Sequence, residues 1–332
     1  MTMSDTARTI TGGPIQEALA CEDGHDIAVR LWQTTEPPRG VVHWLHGMAE
    51  HGGRYGALAA ALNAAGWHVC VHDHRGHGES VSDTSPLGHF ADVNGWLRVL
   101  TDTSQVQHWL RQRYPTLPQV LGGHSMGSFI ALAWAEQHAA TPDTALAGLI
   151  LCGSDYSPAW FYRLARLPIL FERRRRGPRG TSKLIRSMTF DAWAKTLKTR
   201  HTDFDWLSRD SDEVSAYIKD PACGFDCTTQ LWNDLMGGLI STHASSSMRR
   251  LPDALPILLV AGDSDPMSRH GKGMNGLCRA LTRTGNTRIQ FTGFPGARHE
   301  ILNDYCRADA HNTLTTWLGS VVEAAGEHTP GM

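Results

Sequence analysis

The residue of this sequence best placed to act as a nucleophile is a serine between two glycines. The segment Gly123-His124-Ser125-Met126-Gly127 follows a short apolar run and precedes a helical run from Phe129 to His138. At such a strand-to-helix turn the serine hydroxyl rises above the sheet, near free helix N–H groups that stabilise anionic charge. The pattern predicts that Ser125 is a nucleophile. An ordinary glycine-rich turn is the alternative, because glycine and serine are common residues.

A serine hydroxyl attacks efficiently only when a base takes its proton and an acid orients that base. Two loops that follow predicted strands supply such groups: Asp265 comes after the apolar run LPILLVA, and His299 comes after the last predicted strand. Nucleophile, acid and base would then be Ser125, Asp265 and His299, in that chain order. Asp263 in the same loop and Asp155 after an earlier strand remain alternative acids, since an aspartate in a D-x-D-P turn often serves only the turn.

The oxyanion that forms during acyl transfer needs at least two preorganised N–H donors, and losing one typically costs roughly 10²–10³ in kcat. One predicted donor is the backbone N–H of Met126, directly after the serine. The other is the backbone N–H of Met48 in the loop His46-Gly47-Met48, which follows the strand-like run GVVHWL. The alternative for this loop is a turn without a catalytic role.

Three histidines, His72, His74 and His77, suggest a second chemistry. Their H-x-H-x-x-H spacing occurs in zinc hydrolases. The metallo-β-lactamase version has an aspartate directly before the last histidine, where this chain has a glycine, and no matching second ligand set follows. We therefore predict no metal here, and a structural loop in which Asp73 and Arg75 form local hydrogen bonds.

Strands that alternate with helices must position these groups. A hairpin opens the segment 15–154, buried strands and helices then alternate, and the alternation resumes over 251–325. This order predicts a mostly parallel sheet with helices on both faces and ligand groups at the carboxyl ends of the strands. The segment 155–250 shows no convincing buried strand and is predicted to be a helical cap inserted after the sixth strand. Residues 1–14 are predicted to be a flexible N-terminal tail, and 326–332 a C-terminal tail.

Composition excludes several classes of protein. The 332 residues are 41% hydrophobic and 19% charged, as in an ordinary globular protein and unlike a disordered chain. A formal net charge of −2 gives no reason to expect nucleic acid as a partner. Seven cysteines without a framework indicate reduced thiols, and the polar N-terminus lacks a signal-peptide core, so the predicted location is cytoplasmic.

Five segments together resemble the monoacylglycerol lipase and lysophospholipase group of the α/β-hydrolase superfamily, also described as serine aminopeptidase-like. They span most of the predicted core: HGMAEHGGRY (46–55), HDHRGHGES (72–80), GGHSMG (122–127), GDSD (262–265) and GARHEIL (296–302). The resemblance implies the α/β-hydrolase fold and a triad of Ser125, Asp265 and His299. It also implies oxyanion donors at Met48 and Met126 and hydrolysis of acyl esters without a cofactor.

The predicted cap carries an apolar segment that includes Trp160 and Phe161 and is followed directly by the basic run Arg173–Arg176. An apolar face beside basic residues is typical of a lid that touches anionic lipid. A buried helix followed by a solvated charged loop is the alternative. Trp160, Phe161, Met188 and Trp206 are predicted substrate contacts, although the same residues would also suit the core of the cap.

These observations predict a serine hydrolase that cleaves lysophospholipids or monoacylglycerols through an acyl-enzyme. Its partners would be a small lipid-like ester and, transiently through the cap, a membrane or micelle surface; nucleic acid is not expected, and no oligomeric state follows. One alternative is an aminopeptidase or amidase with the same triad, which needs a cap carboxylate for the substrate's amine. The candidates for that role are Glu172, Asp205, Asp210 and Glu213. Another alternative is a catalytically silent, hydrolase-like binding protein.

Overall fold

An eight-stranded sheet forms the centre of the protein in the computed structural model, which describes residues 13–326. The strands are β1 (Ile15–Ala20), β2 (Asp26–Trp32), β3 (Gly40–Leu45), β4 (Trp67–His72), β5 (Gln119–His124), β6 (Gly148–Cys152), β7 (Ile257–Gly262) and β8 (Ile289–Phe294). Their order across the sheet is β1-β2-β4-β3-β5-β6-β7-β8. The pairs β1–β2 and β2–β4 are antiparallel and the other five pairs are parallel, which confirms the predicted mostly parallel sheet. The predicted tails lie outside the described residues, apart from 13, 14 and 326.

Helices cover both faces of this sheet, as predicted. They are α1 (Gly56–Ala64), α2 (Gly95–Arg113), α3 (Met126–His138), α4 (Ala159–Arg176), α5 (Lys183–Met188), α6 (Phe190–Lys195), α7 (Ser211–Lys219), α8 (Thr229–Thr242), α9 (Ser245–Met248), α10 (Lys272–Arg283) and α11 (Arg307–Gly326). The helices α1 and α11 pack on one face, and α3, α10 and part of α2 pack on the other. The sheet is therefore shielded from water on both sides.

Burial along the strands follows from this two-sided cover. Every residue of β3, β4, β5, β6 and β7 is buried, because both faces of these central strands contact helices. Successive side chains of a strand point to opposite faces, so Val120 and Leu121 of β5 enter different core clusters. The edge strand β8 is covered less completely and keeps partly exposed residues.

The six helices α4 to α9 lie between β6 and β7, and we call residues 155–250 the helical insertion. Within the described residues this segment contains no β-strand. The insertion packs on the rest of the chain through α8, which contacts α4 within the insertion and both α2 and α3 outside it. It follows the sixth strand, at the place that the sequence predicted for additional helices.

None of the helices within the described residues combines the length and apolarity needed to cross a bilayer. All seven cysteines fall in this part of the chain and are free thiols. The hydrophobic core, and not covalent cross-links, therefore holds these residues together.

Candidate active site

Ser125 lies between β5 and α3 with a backbone φ of 53° and ψ of −120°. A positive φ is strained for residues other than glycine and persists where the surroundings enforce it, often at functional sites. A Cβ added to Gly123 would lie 2.4 Å from the carbonyl of Gly127, and one added to Gly127 would lie 2.1 Å from the Leu45 carbonyl oxygen. Both glycines are therefore required by close backbone approach, which is the tight turn expected from the sequence.

The loop after β3 passes directly beside the serine. A Cβ added to Gly47 would lie 3.4 Å from the Cβ of Ser125. The Gly47 N–H donates to a carboxylate oxygen of Glu50, whereas no intramolecular acceptor is found for the Met48 N–H among the described residues. Met126 is the first residue of α3, and first-turn N–H groups have no partner inside a helix. Met48, Met126 and Ser125 all line one cavity.

His299 and Asp265 meet at the carboxyl ends of β8 and β7. The Nδ1 atom of His299 lies 3.2 Å from Oδ2 of Asp265, and both side chains are almost fully buried. Burial alone would raise the pKa of Asp265, but His299, the Ser268 side chain and the backbone N–H of Met267 lower it overall. Asp265 is therefore ionised beside the imidazole, and His299 also lines the cavity with Ser125.

The two alternative aspartates have other partners. Asp263 is exposed and accepts the Gly296 N–H at 2.6 Å, so that it stabilises its own turn. Asp155 forms an ion pair of 2.9 Å with Arg269, and burial raises its pKa to about 6 despite that arginine. Among the described aspartates, Asp265 is the one that contacts His299.

A buried ion-pair network, missed by the sequence analysis, joins the loop after β3 to the loop that carries His299. Arg54 contacts Oε2 of Glu50 at 2.5 Å and donates to both carboxylate oxygens of Glu300 at 2.7 Å. Burial by itself would raise the pKa of both carboxyl groups, but Arg54 lowers both, that of Glu50 well below its usual value. His124 Nδ1 lies 3.4 Å from Glu50, and although burial opposes it, this carboxylate raises the pKa of His124. Two features of the sequence could have indicated this network: Glu50 stands four positions before Arg54, and Glu300 directly follows the predicted base.

The helical insertion also contacts the His299 loop directly. The backbone N–H of His299 donates to the Trp206 carbonyl at 3.4 Å, and that of Glu300 donates to the Leu207 carbonyl at 2.7 Å. The Trp206 ring lies 5.1 Å from the His299 ring, between centroids. The loop that carries the predicted base is thus packed against the insertion through both backbone and side chain.

A second set of contacts extends this attachment. The Arg298 guanidinium donates to the carbonyls of Asp205 and Ser208 at 2.6 and 2.8 Å. The buried Asp304 carboxylate accepts hydrogen bonds from the Arg209 guanidinium at 2.7 Å and from the backbone N–H of Arg298 at 3.3 Å. Residues 205–209 and 298–304 therefore hold each other in position.

A cavity of about 310 Å³ opens above Ser125, between the sheet and the helical insertion. Its lining is mainly apolar and includes Ile169, Ile185, Phe190, Trp232, Leu235 and Leu239. Of the four predicted substrate contacts, Phe161, Met188 and Trp206 line it. Trp160 is not among the described lining residues, because its side chain points outward from α4 and is 61% exposed.

The candidate carboxylates for the aminopeptidase alternative do not reach this cavity. All four bind other side chains of the protein. Glu172 pairs with Arg175, and Asp205 accepts a hydrogen bond from Thr202. Asp210 and Glu213 both pair with Arg307. The carboxylates that do line the cavity are Glu50, Glu300 and Asp155, each paired with an arginine. Within the described residues the cavity therefore has no unpaired carboxylate for a substrate amine.

The histidines His72, His74 and His77 have protein partners. His72 Nδ1 lies 2.8 Å from Nε2 of His43, and His77 Nδ1 lies 3.2 Å from the Arg75 carbonyl. His74 Nε2 lies 3.2 Å from the His46 carbonyl oxygen. Burial lowers the pKa of all three imidazoles, so they are neutral. They form part of the packing beneath the loop after β3.

Known proteins share this architecture and about a quarter of the aligned residues. The family model described as serine aminopeptidase, S33 matches residues 36–305. The monoacylglycerol lipase of Mycolicibacterium smegmatis is 27% identical over 92% of this chain and 97% of its own length, and the human monoglyceride lipase is 27% identical over 98% of each. A thermostable carboxyl esterase of Bacillus coagulans, solved with glycerol, superimposes with a TM-score of 0.83 at 27% identity, covering 94% of this chain and all of the esterase.

Proposed function

We propose that this chain, which belongs to the serine aminopeptidase S33 family and has the α/β-hydrolase fold, is a carboxylic ester hydrolase that cleaves monoacylglycerols or lysophospholipids. The observation that carries this proposal is a strained serine elbow that opens into an apolar cavity beside a His–Asp pair. The relatives named monoacylglycerol or monoglyceride lipase match over nearly the whole chain, which favours a glycerol ester as substrate.

In the proposed mechanism, His299 accepts the proton of the Ser125 hydroxyl while the serine oxygen attacks the ester carbonyl. Asp265 holds the imidazole through Nδ1 and balances the positive charge that forms on the ring. The lowered pKa of the Asp265 carboxyl supports this role, because the acid must stay ionised at neutral pH. The carbonyl oxygen becomes an oxyanion and accepts hydrogen bonds from the backbone N–H groups of Met48 and Met126.

The remaining steps need only these groups and water. The tetrahedral intermediate collapses when the His299 imidazolium gives its proton to the leaving alcohol, which leaves the acyl group on Ser125. His299 then takes a proton from water, and the resulting hydroxide equivalent attacks the acyl-enzyme. A second collapse returns the proton from His299 to Ser125 and releases the fatty acid. No cofactor takes part in this scheme.

The helical insertion is proposed to act as a cap that binds the acyl chain. Its side chains supply most of the apolar lining, among them Ile185, Trp232 and Leu235. Apolar surface removed from water contributes roughly 25 cal/mol per Å², so a long acyl chain gains much of its binding energy there. Phe161, Met188 and Trp206 are the predicted contacts that this role retains, whereas Trp160 faces away.

An exposed apolar stripe on α4 supports contact between the cap and a lipid surface. Trp160, Leu164, Leu167 and Phe171 are spaced three or four residues apart, and each is 57–62% exposed. The last turn of the helix carries Arg173–Arg176. An apolar face that ends in a basic run binds the interface of anionic membranes. The cap would then receive its substrate from the surface on which it lies.

The proposal is tested by esterase assays on monoacylglycerols and p-nitrophenyl acyl esters. Ser125→Ala should abolish hydrolysis and labelling by a fluorophosphonate, whereas Ser187→Ala, on the surface of α5, should leave both unchanged. Hydrolysis that survives in Ser125→Ala would refute the mechanism. Faster cleavage of aminoacyl amides than of acyl esters would favour the aminopeptidase alternative. An unlabelled serine and no turnover would indicate a silent binding protein.

A further inference from the structure

Three potential metal ligands from distant parts of the chain meet outside the proposed catalytic centre. The ligand atoms of His51, Asp220 and Cys223 all lie within 4.8 Å of one another. His51 belongs to the loop after β3, and the other two residues follow α7 in the helical insertion. Within the cluster, Nε2 of His51 lies 2.9 Å from Oδ2 of Asp220. We call these three residues the His-Asp-Cys cluster.

We propose that the His-Asp-Cys cluster binds a thiophilic divalent cation of the zinc class. An imidazole nitrogen, a carboxylate oxygen and a cysteine sulfur are all ordinary zinc ligands, and three protein ligands leave a fourth, tetrahedral position for water. Magnesium and calcium prefer sites made entirely of oxygen, so the sulfur of Cys223 disfavours them. This inference does not depend on the proposed esterase activity, since none of the three side chains belongs to the proposed triad or oxyanion hole.

Neighbouring backbone groups orient two of the three ligands. The Gly53 N–H donates to Nδ1 of His51 at 3.1 Å, which leaves Nε2 directed at the cluster. The Ala222 N–H donates to Oδ1 of Asp220 at 2.8 Å, which leaves Oδ2 directed at the imidazole. Hydrogen bonds of this kind around a site set the direction in which its ligands point. The Asp220 carboxylate is therefore oriented before a cation arrives, whereas the His51 ring must first move its proton from Nε2 to Nδ1.

Cation binding changes the protonation of two ligands. The thiol of Cys223 releases its proton to solvent and binds as a thiolate. The His51 imidazole binds through Nε2, so its single N–H must be at Nδ1 and the hydrogen bond from the Gly53 N–H is given up. Asp220 binds as the carboxylate. The net reaction releases one proton and involves no change of oxidation state.

A cation at this position would tie the helical insertion to the loop that carries Met48. The two are already in contact, because the Gly224 N–H and the Tyr217 hydroxyl both donate to the Ala49 carbonyl at 2.9 Å. His51 and Asp220 keep 18% and 34% of their side-chain surface exposed, so an ion can reach the cluster from solvent. Bound cation is expected to raise the unfolding temperature, because it binds the folded chain in preference to the unfolded one.

Cobalt titration of the reduced, full-length protein tests the proposal directly. Co²⁺ bound by a thiolate shows a charge-transfer absorption in the near ultraviolet, and this signal is independent of esterase activity. We expect the band to saturate at one equivalent and to disappear when Zn²⁺ is added. Cys223→Ser should remove the band, and His51→Gln and Asp220→Asn should weaken binding roughly tenfold or more. The matched control Cys278→Ser, which replaces a partly buried cysteine outside the cluster, should keep it.

Thermal unfolding with Zn²⁺ gives the second readout. The unfolding temperature of the unmodified protein and of Cys278→Ser should rise, and that of Cys223→Ser should not. The absence of saturable binding with excess cobalt and zinc would overturn the proposal, as would a band that survives in Cys223→Ser. Should Cys223→Ser fail to fold, Asp220→Asn decides, because undiminished cobalt binding in that variant would also overturn it. Esterase activity that is absent while cobalt binds would count against the proposed function alone.

Discussion

Arg54 donates to both carboxylate oxygens of Glu300 at 2.7 Å, across 246 positions of the chain, and the same guanidinium contacts Glu50. Glu50 accepts the Gly47 N–H next to the predicted oxyanion donor, and Glu300 directly follows the predicted base. The relative position of these two loops therefore depends on one buried arginine. Five experiments examine this and other features of the structure.

Arg54→Met should lower the free energy of unfolding by about 3–5 kcal/mol near pH 8, since it leaves two buried carboxylates without their cation. Arg54 holds the pKa values of Glu50 and Glu300 down, so both rise in the variant and both groups can become neutral in mild acid. The loss in free energy of unfolding caused by Arg54→Met should therefore be smaller near pH 5 than near pH 8. Denaturant unfolding at both pH values measures it.

The control for this change is Arg113→Met. Arg113 forms a partly exposed ion pair of 3.3 Å with Glu17, and such pairs contribute at most about 1 kcal/mol. Equal losses of stability in the two variants would contradict the role given to the buried network.

Gly127→Ala should abolish activity and lower the yield of folded protein. The added Cβ would lie 2.1 Å from the Leu45 carbonyl oxygen, so that the elbow must open. At Gly56, near the start of α1, φ is −59° and an added Cβ meets no atom within 4 Å. Gly56→Ala should therefore be neutral or stabilise by about 0.4–1 kcal/mol. A Gly127→Ala variant with normal activity and stability would show that the elbow is less constrained than its geometry indicates.

Arg209→Ala should lower kcat by roughly 10–100-fold with little change in KM, because small displacements of a catalytic group slow the chemical step more than they weaken binding. The Arg209 guanidinium donates to the Asp304 carboxylate, which also accepts the backbone N–H of Arg298, the residue before His299. Arg209→Lys should restore part of the rate. The control is Arg200→Ala at an exposed pair of the insertion, with an Arg–Asp separation of 4.0 Å. A rise in KM alone would indicate that the segment binds substrate and does not position the base.

Buried neutral histidines should make the protein sensitive to acid. Burial lowers the pKa of His46 to about 3 and those of His72 and His77 to about 4, against an ordinary value of 6.5. Below pH 6.5 these histidines are protonated in the unfolded chain but stay neutral in the folded chain. The free energy of unfolding therefore falls as pH falls, by about 1.4 kcal/mol per pH unit for each such histidine. Urea unfolding between about pH 7 and pH 5 measures this slope.

One variant assigns part of that slope. The Nε2 atom of His77 has no hydrogen-bond partner among the described residues, and its ring packs against Phe90 and Phe225. His77→Phe should therefore reduce the slope by the share of one histidine, whereas His108→Asn at an exposed position should leave it unchanged. An identical slope in His77→Phe would indicate that other groups control the acid sensitivity.

Two adjacent residues of α4 should separate acyl binding from surface binding. Phe161 lines the cavity, so Phe161→Ala should raise KM for dispersed long-chain esters roughly tenfold and have little effect on acetyl esters. Trp160 points to solvent, so Trp160→Ala should not alter those values, but should weaken binding to vesicles that contain phosphatidylglycerol. Kinetics over a chain-length series and vesicle sedimentation measure the two effects. If both variants changed KM and vesicle binding to the same extent, the two residues would not have the separate roles proposed for them.

Local patterns in the sequence were sufficient to predict the fold and the candidate nucleophile. The glycines at 123 and 127, the buried strands and the alternating helices each depend on neighbours in the chain, because turn geometry and strand or helix burial are local properties. Polar loops after β7 and β8 indicated Asp265 and His299, since the carboxyl ends of parallel strands meet at one edge of the sheet. The position of the insertion also followed from the break in this alternation.

Only the tertiary structure decided which distant residues touch. The sequence favoured Asp265 as the acid but left Asp263 and Asp155 as alternatives, and the fold is what brings Asp265 to His299. Arg54 meets Glu300 across 246 positions and His51 meets Asp220 across 169, because the packing of the insertion on the core fixes these contacts. Trp160 and Phe161 are adjacent, but helix geometry directs one to solvent and the other to the cavity. Such relations depend on how whole elements pack, which neither residue spacing nor composition records.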